Sequence, residues 1–287
     1  MAKKEKKKKK ELEPQYYASA TNIRTLNYGV YYMSFLEKLL YFCIAFVVGV
    51  GVGYLFYGGI GANEFGEPTR LTHILNVTIC SITGLVAGKL FLPARNSQIL
   101  MKRKNQLKMQ FRELLDTLST SIGSGKTVSD AFREAHHDMK IMYSEDAYIV
   151  KELEVINSGV SNNLNIEVML LDFGKRSHLR DIESFANVFE TCYRKGGDIK
   201  EVIKSTQQIL NEKLEIELEI ETLVTSNKTE QSIMTFMPVI LVGMIKGMSP
   251  EFGSNFSTGA GIISTTIAVA MFIAAYFIGK EVLDIKI

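Results

Sequence analysis

Cysteine and histidine are scarce in this chain, which has three cysteines and four histidines in 287 residues. Cys43, Cys80 and Cys192 show no pairwise spacing that is typical of a metal or redox motif. The histidines likewise lack partners at the spacing of metal ligands. We therefore expect no disulfide framework, no metal site and no cofactor.

Charged side chains are nearly missing from four apolar stretches, at residues 39–57, 74–92, 232–248 and 259–279. The second stretch contains only Lys89 and the third only Lys246. A helix rises roughly 1.5 Å per residue, so about twenty apolar residues cross a hydrocarbon core of roughly 30 Å. The sequence predicts a polytopic all-α membrane protein with about four transmembrane helices. We expect the second to stop at Pro93 and the third to be kinked at Pro238.

Basic residues are almost absent from the two loops at 58–73 and 249–258, where Arg70 is the single lysine or arginine. By contrast, residues 3–10 read "KKEKKKKK". Basic residues that flank membrane spans stay on the cytoplasmic side, so both termini and the long middle segment are predicted to be cytoplasmic. The predicted organisation is a basic tail and lead-in, two spans, a helical domain and two further spans: 1–38, 39–92, 93–231 and 232–287.

The lysine-rich run permits two interpretations. It could bind anionic membrane lipid, at about 1 kcal/mol for each lysine near the surface, or it could be a solubilising tail. The net charge of +2 does not indicate a nucleic-acid partner.

The middle segment shows helical periodicity, with apolar residues at steps of three and four. Glycine and proline are absent between Asp198 and Pro238, so the last helix is expected to continue into the third span. The stretch "LEIELEIE", residues 214–221, alternates as a strand would, but its flanks contain no turn residues and we predict a helix packed on both sides. The first predicted helix runs from 111 to the glycines at 123 and 125, and the second starts after Thr127. Further helical segments are predicted at 144–156 and 164–175, from 179 to the glycines at 196 and 197, and from 199.

The stretch "SIGSGKTVSD" contains the letters of a phosphate-binding loop. Such a loop needs a glycine where this chain has Thr120, and it must follow a buried strand, whereas a helix is predicted here. The run "VMLLD", residues 168–172, looks like the companion magnesium-binding strand, but the segment is too short and too helical for the parallel sheet that both motifs need. We expect a helix-turn-helix corner, with Thr127 and Asp130 as a capping box.

Several ordered motifs resemble one known family. The stretch "LLDTLSTSIGSGKTVSDAF" is similar to its opening helix, glycine turn and second helix, with Leu118, Gly125 and Ala131 at typical positions. The stretch "MLLDFGKRSHLRDIESFANVFETCYRKGGDIKEVI" is similar to its next portion, with Arg176 and the pair Gly196 and Gly197 at favoured places. The match extends through "SPEF" and the ending "IGKEVLDIKI" and covers about residues 102–287.

These motifs resemble the type II secretion system F domain, and within it the TadB-like and TadC-like proteins of tight-adherence (Flp-type) pili. Lys126 and Thr127 depart from the pattern, which usually has a small or apolar residue after the turn glycine. The resemblance covers a single F domain, as in the tight-adherence members. The secretion and type IV pilus members of the family have two copies of this domain.

The resemblance implies an inner-membrane platform protein that is not an enzyme. It would couple a cytoplasmic secretion ATPase to the insertion of pilin subunits. The implied partners are that ATPase, pilin, membrane lipid and a second F-domain protein, in a homo- or hetero-oligomer. Gly125, Arg176, Gly196 and Gly197 are candidates for structural turns or partner contact.

Lys89 and Lys246 are the two lysines in the predicted spans, and their role can be interpreted in two ways. Both lie near span ends, where a lysine side chain can reach the interface. The alternative is that Lys89 contacts an acidic residue of pilin. Two other functions stay open: a transporter or channel subunit, which four spans permit although paired intramembrane charges are missing, and a membrane-anchored ATPase.

Overall fold

A computed structural model of the chain describes residues 13–19, 23–60, 69–248, 253, 255, 256 and 258–283. The lysine-rich run, the "SPEF" motif and the last four residues of the ending "IGKEVLDIKI" lie outside the described residues. The chain divides into two compact units, which we call the helical domain and the span unit. The helical domain comprises Met1–Tyr32 and Asn96–Leu214, and the span unit comprises Met33–Arg95 and Glu215–Ile287.

The described residues are predominantly helical, and the predicted all-α class is confirmed to that extent. Eight helices lie within the described ranges: α1 Phe35–Tyr57, α2 Arg70–Gly123, α3 Val128–Met142, α4 Tyr148–Ser161, α5 Ile166–Ser177, α6 Arg180–Lys195, α7 Ile199–Met248 and α8 Gly259–Leu283. Two short strands, β1 Tyr16–Ala18 and β2 Arg24–Leu26, pair in antiparallel register, with Tyr16 opposite Leu26.

Among the residues that the structure describes, four helices are long and apolar enough to cross a membrane, as the sequence predicts: α1, α2, α7 and α8. The apolar stretch predicted as the second span ends at Pro93, but the helix does not end there: α2 continues through Pro93 to Gly123. Proline cannot donate a backbone hydrogen bond to the residue four positions earlier. A helix at a membrane boundary tolerates this loss, since neighbouring polar groups or water can satisfy the freed carbonyl. Pro238 also lies inside a continuous helix, α7.

Helices α1 and α2 approach each other closely in the span unit through small residues. A Cβ atom added to Gly49 would lie 2.7 Å from the Cβ of Ala87 and 3.0 Å from the Cα of Gly84. A Cβ added to Gly53 would overlap the Thr83 hydroxyl oxygen. Membrane helices associate through such surfaces because apolar lipid supplies little driving force for their contact, and close packing replaces it.

The core of the helical domain is built from the end of α2, helices α3 to α6 and the start of α7. The apolar residues that recur at steps of three and four face this core in α2, α3 and α6, so the predicted helical periodicity is confirmed there. Aromatic rings of these helices pack edge to face at the centre. Fully or nearly fully buried are Phe111, Leu114, Leu115, Leu118, Ala131, Phe132, Ala135, Ile182, Phe185, Ala186 and Phe189.

Two predicted helices need corrected boundaries. The predicted helix 144–156 is α4, Tyr148–Ser161, because Ser144 to Ala147 forms a turn closed by a 2.9 Å hydrogen bond from the Ala147 N–H to the Ser144 carbonyl. The segment "NSGVSNN" extends this helix by more than a turn before Asn163 takes a positive φ of 61°. Helix α5 accordingly begins at Ile166 and not at residue 164.

The alternating stretch 214–221 is helical, as predicted, and forms part of α7. Leu214 is buried, but Ile216 and Leu218 are 53% and 62% exposed. The expected packing on both sides is therefore not made by the described residues of this chain.

The amino-terminal part of the chain is not only a tail. Residues 13–32 belong to the helical domain, and Tyr28 lies in its core with 1% of its surface exposed. The hairpin β1–β2 leads into this tyrosine. The sequence does not predict this hairpin, because strands of three residues are too short to show a periodicity.

Candidate functional site

The "GSGKT" stretch forms a corner between two helices. Helix α2 ends at Gly123, and Gly125 takes a φ of 91°, a conformation that glycine adopts without steric cost. The Thr127 hydroxyl then caps α3: it accepts a hydrogen bond from the Asp130 N–H at 3.2 Å. A phosphate loop follows a β-strand, whereas the residues before this corner form the helix α2.

Lys126 forms an intramolecular ion pair at this corner. Its ammonium group pairs with Glu134, which also accepts a hydrogen bond from the Ser121 hydroxyl at 2.7 Å. The hydrogen bonds from Lys126 and Ser121 lower the pKa of the Glu134 carboxyl. Glu134 of α3 is therefore bonded to the end of α2 through Ser121 and to the turn through Lys126, which gives Lys126 a structural role.

Gly196 and Gly197 form the second glycine corner. Gly196 takes a φ of 75° at the end of α6, and the Gly197 N–H donates to the Cys192 carbonyl at 2.8 Å. Asp198 then caps α7, since its carboxylate accepts a hydrogen bond from the Glu201 N–H at 3.2 Å. The pair reverses the chain, as the sequence indicates.

Arg176 is the centre of a buried polar cluster in the helical domain. Its guanidinium makes a bidentate ion pair with Glu152, at 2.9 Å and 2.7 Å, and its Nε lies 2.7 Å from the Asp172 carboxylate. Arg176 and Glu152 are 5% and 2% exposed. Such an arrangement suits arginine, whose planar fork matches a carboxylate.

The cluster binds the amino-terminal segment to the helical core. The Tyr28 hydroxyl donates to Glu152 at 2.9 Å, and Arg176 donates to the Leu26 carbonyl at 3.2 Å. The Tyr28 N–H also donates to the Arg176 carbonyl at 2.9 Å. These bonds hold the strand β2 and its continuation against α4 and α5.

The neighbouring carboxylates of the cluster stabilise the charged form of Arg176. Burial alone would lower the pKa of Arg176, but the hydrogen bonds and charge of Glu152, followed by those of Asp172, raise it above the usual value. Burial and the Glu152 charge raise the pKa of Tyr28 well above its usual value, so the hydroxyl remains a donor. Arg176 was predicted from the family pattern, whereas Glu152 and Tyr28 were missed because no local motif links residues that are 24 and 124 positions apart.

The span unit contains a groove beside Pro238. It has a volume of about 690 Å³, and Pro238, Phe272 and Tyr276 form part of its apolar lining. Asn227, Glu230 and Gln231 supply a polar end. A second cavity of about 400 Å³ also borders Pro238 and includes Leu90 of α2 and Phe56 of α1.

The two lysines of the spans have different surroundings. Lys89 is exposed on α2, and none of the described residues forms an ion pair or hydrogen bond with it. The Lys246 ammonium lies 3.5 Å from the Gly58 carbonyl oxygen and 5.0 Å from the centre of the Phe256 ring. Lys246 is thus satisfied inside the unit, while Lys89 is available to other molecules.

The predicted residues do not gather in one pocket of the part of the chain that the structure describes. Gly125, Arg176 and Gly196 have separate surroundings in the helical domain. In the same described ranges, no group of three or more histidine, cysteine or acidic residues could hold a metal ion, and the three cysteines are free.

By length and composition, four spanning helices are consistent with a multi-pass membrane protein. No protein-family model, curated protein or solved structure matches the chain.

Proposed function

We propose that the chain is an inner-membrane platform protein of a tight-adherence, type IV-like pilus or type II secretion machine. One observation carries the proposal: a compact helical domain is inserted between the second and third spans, and α2 and α7 each contain both a span and a helix of that domain. Motion applied to the domain could therefore be transmitted along two continuous helices. A soluble ATPase would supply that motion, and the chain itself would not hydrolyse nucleotide.

The residues of the family resemblance have roles that fit this proposal. Leu118 and Ala131 are fully buried in the domain core. Gly125 and Gly196 occupy left-handed turn positions, and Arg176 joins the amino-terminal segment to α4 and α5. In the proposed mechanism these residues keep the domain rigid, so that force from the ATPase is not lost in deformation.

The groove beside Pro238 is our candidate docking surface for the apolar helix of a pilin subunit. Its wall is apolar over most of its length, and its polar end is provided by Asn227, Glu230 and Gln231. A helix that leaves the bilayer along such a surface exchanges lipid contacts for protein contacts at little cost.

Gene deletion followed by complementation tests the proposal. We expect deletion to abolish surface filaments while pilin remains in the membrane, and the wild-type chain to restore them. Lys126→Ala should also restore filaments, because Lys126 pairs with Glu134 and holds no phosphate. Normal filaments in the deletion strain would overturn the proposal, and failure of Lys126→Ala with normal protein levels would favour the ATPase alternative.

Lys89 is the proposed contact for an acidic residue of pilin. Its exposure and its lack of a partner among the described residues support that role. Lys89→Met should abolish filaments while the protein stays in the membrane. The matched control is Lys204→Met, which removes an exposed lysine of α7 in the helical domain and should leave filaments unchanged. Normal filaments with Lys89→Met would assign Lys89 to the lipid interface alone.

A further inference from the structure

We propose that the groove beside Pro238 selects an apolar membrane helix that carries a positive charge at its cytoplasmic end, and that Glu230 recognises this charge. The inference rests on the proposed function, because it concerns the partner of the same groove and uses the predicted orientation of the spans. The charge belongs to a lysine, an arginine or a free amino terminus of the partner helix. Glu230 is then the residue that determines the specificity of the groove.

The groove follows α7 and α8 side by side within the span unit. Its lining residues on α7 run from Asn227 to Pro238, and those on α8 run from Phe272 to Val282. On α8 they are related by steps of three and four, so they occupy one face of that helix. At roughly 1.5 Å per residue, each stretch is about 15 Å long, which is about three turns of a partner helix.

The apolar wall of the groove is uncovered in this chain. Met234 and Phe272 are 63% and 50% exposed. Methionine side chains adapt to partners of different shape, so this wall can pack against many apolar helices without selecting among them. Selection among membrane helices therefore has to come from the polar end of the groove.

The polar end of the groove is built by a contact between α7 and α8. The Gln231 side-chain amide donates a hydrogen bond to the Tyr276 carbonyl at 3.4 Å. Gly279 leaves room for this amide, because a Cβ atom at that position would overlap the Gln231 Nε2. The amide of Gln231 is therefore already engaged within the chain, while Glu230 beside it offers a carboxylate to a partner.

Glu230 is charged and unpaired. It is the single charged residue among the described residues that line the groove. Within the described ranges, its carboxylate forms no ion pair or hydrogen bond. Lys228 does not line the groove, because residues two positions apart on a helix point in different directions. The end of the groove thus presents a negative charge to whatever helix lies in it.

Membrane helices carry a cation at the matching place. Lysine and arginine are enriched at the cytoplasmic flank of membrane spans. In the proposed orientation, residues 227–231 lie at the cytoplasmic end of the third span. A partner helix that packs along the apolar wall with its basic flank at this end forms an ion pair with Glu230, whereas a helix with a neutral or acidic flank does not.

The test uses the full chain in phosphatidylcholine nanodiscs, with Met234 replaced by the photoreactive residue benzoylphenylalanine. The probes are two synthetic membrane peptides with the same leucine–alanine segment of about twenty residues, flanked at one end by lysine or by glutamine. The neutral lipid does not attract the lysines itself. We expect roughly two- to fivefold more photocrosslinking of the lysine peptide, and loss of the difference in molar salt, because salt screens the ion pair.

Variants of the groove make the result specific. Glu230→Gln should remove the preference, and Glu230→Lys should reverse it in favour of a glutamate-flanked peptide. Glu221→Gln makes the same change at an exposed position of α7 outside the groove and should retain the preference. Ala275→Phe fills the groove and should reduce crosslinking of both peptides. Ala274→Phe lies outside the lining and should leave both unchanged.

Equal crosslinking of the lysine and glutamine peptides to the wild-type groove would overturn the proposal, and so would a preference that persists in Glu230→Gln. The peptides contain no pilus component, so the result is independent of the filament test. A preference for lysine together with normal filaments after gene deletion would retain the charge selection and reject the platform function. Loss of filaments together with equal crosslinking would retain the platform function and reject the charge selection.

Discussion

At the scale of single residues, the helical domain depends on a few side chains whose partners lie far away in sequence. Arg176, Glu152 and Tyr28 are examples, since the ion pair and its tyrosine join residues separated by 24 and 124 positions. A buried ion pair contributes little by itself, but a buried charge that has lost its partner is strongly destabilising.

Glu152→Ala tests this cluster. It leaves Arg176 buried with only the partly exposed Asp172 as a carboxylate partner. We expect the opening free energy of α4 and α5 to fall by roughly 3–5 kcal/mol, measured by hydrogen exchange on the detergent-solubilised full chain. Asp146→Ala removes an exposed ion pair with Lys151 and serves as the control, with little expected change. Similar exchange in the two variants would show that the cluster is not a stability element.

Gly125→Ala tests the corner between α2 and α3. A φ of 91° places any side chain in a disfavoured conformation, at a cost of roughly 1–2 kcal/mol. Gly123→Ala is the matched control, because Gly123 is the last residue of α2 and a Cβ there would meet no atom within 4 Å. Thermal unfolding should show a lower midpoint for Gly125→Ala only. Equal midpoints would contradict the turn assignment.

At the scale of secondary-structure elements, periodicity and capping signals carried most of the correct predictions. The inner faces of α2, α3 and α6 follow from apolar spacing, and the start of α3 follows from Thr127 and Asp130. The continuation of α2 past Pro93 did not follow from these signals, because proline breaks helices in water but is tolerated at a membrane boundary.

The contact between α1 and α2 gives a prediction at this scale. Gly49→Leu would insert a side chain where a Cβ alone already lies 2.7 Å from Ala87. Overpacking of this kind typically costs about 1–3 kcal/mol, so the thermal midpoint of the chain in detergent should fall. Gly51→Leu lies on the same helix, where a Cβ meets no atom within 4 Å, and should leave the midpoint nearly unchanged. Equal losses in both variants would show that the close approach is not required.

The contacts of the candidate site were less predictable than the helices. The sequence named Arg176 through a family pattern, but its carboxylate partner comes from α4 and its tyrosine from a segment predicted to be a tail. Glu152 lies among buried apolar residues of α4, and its carboxylate can be buried there because it pairs with Arg176 of α5. The sequence of α4 alone does not reveal this tertiary contact. The groove beside Pro238 likewise requires α7 and α8 to be placed together, which no local pattern specifies.

At the scale of the whole molecule, the chain combines a helical domain with four candidate spans, and α2 and α7 belong to both. In the platform proposal, α2 and α7 would carry motion between the domain and the spans. Ile216 and Leu218 of α7 are exposed in this chain, and the proposal assigns such residues of α7 to contacts with partner proteins.

Crosslinking of the tagged full chain in its native membranes, followed by purification and mass spectrometry, tests the platform proposal most directly. The proposal predicts recovery of a secretion-type ATPase together with a second F-domain membrane protein and pilin. Recovery of the intact chain without the ATPase and without a second F-domain protein would contradict it.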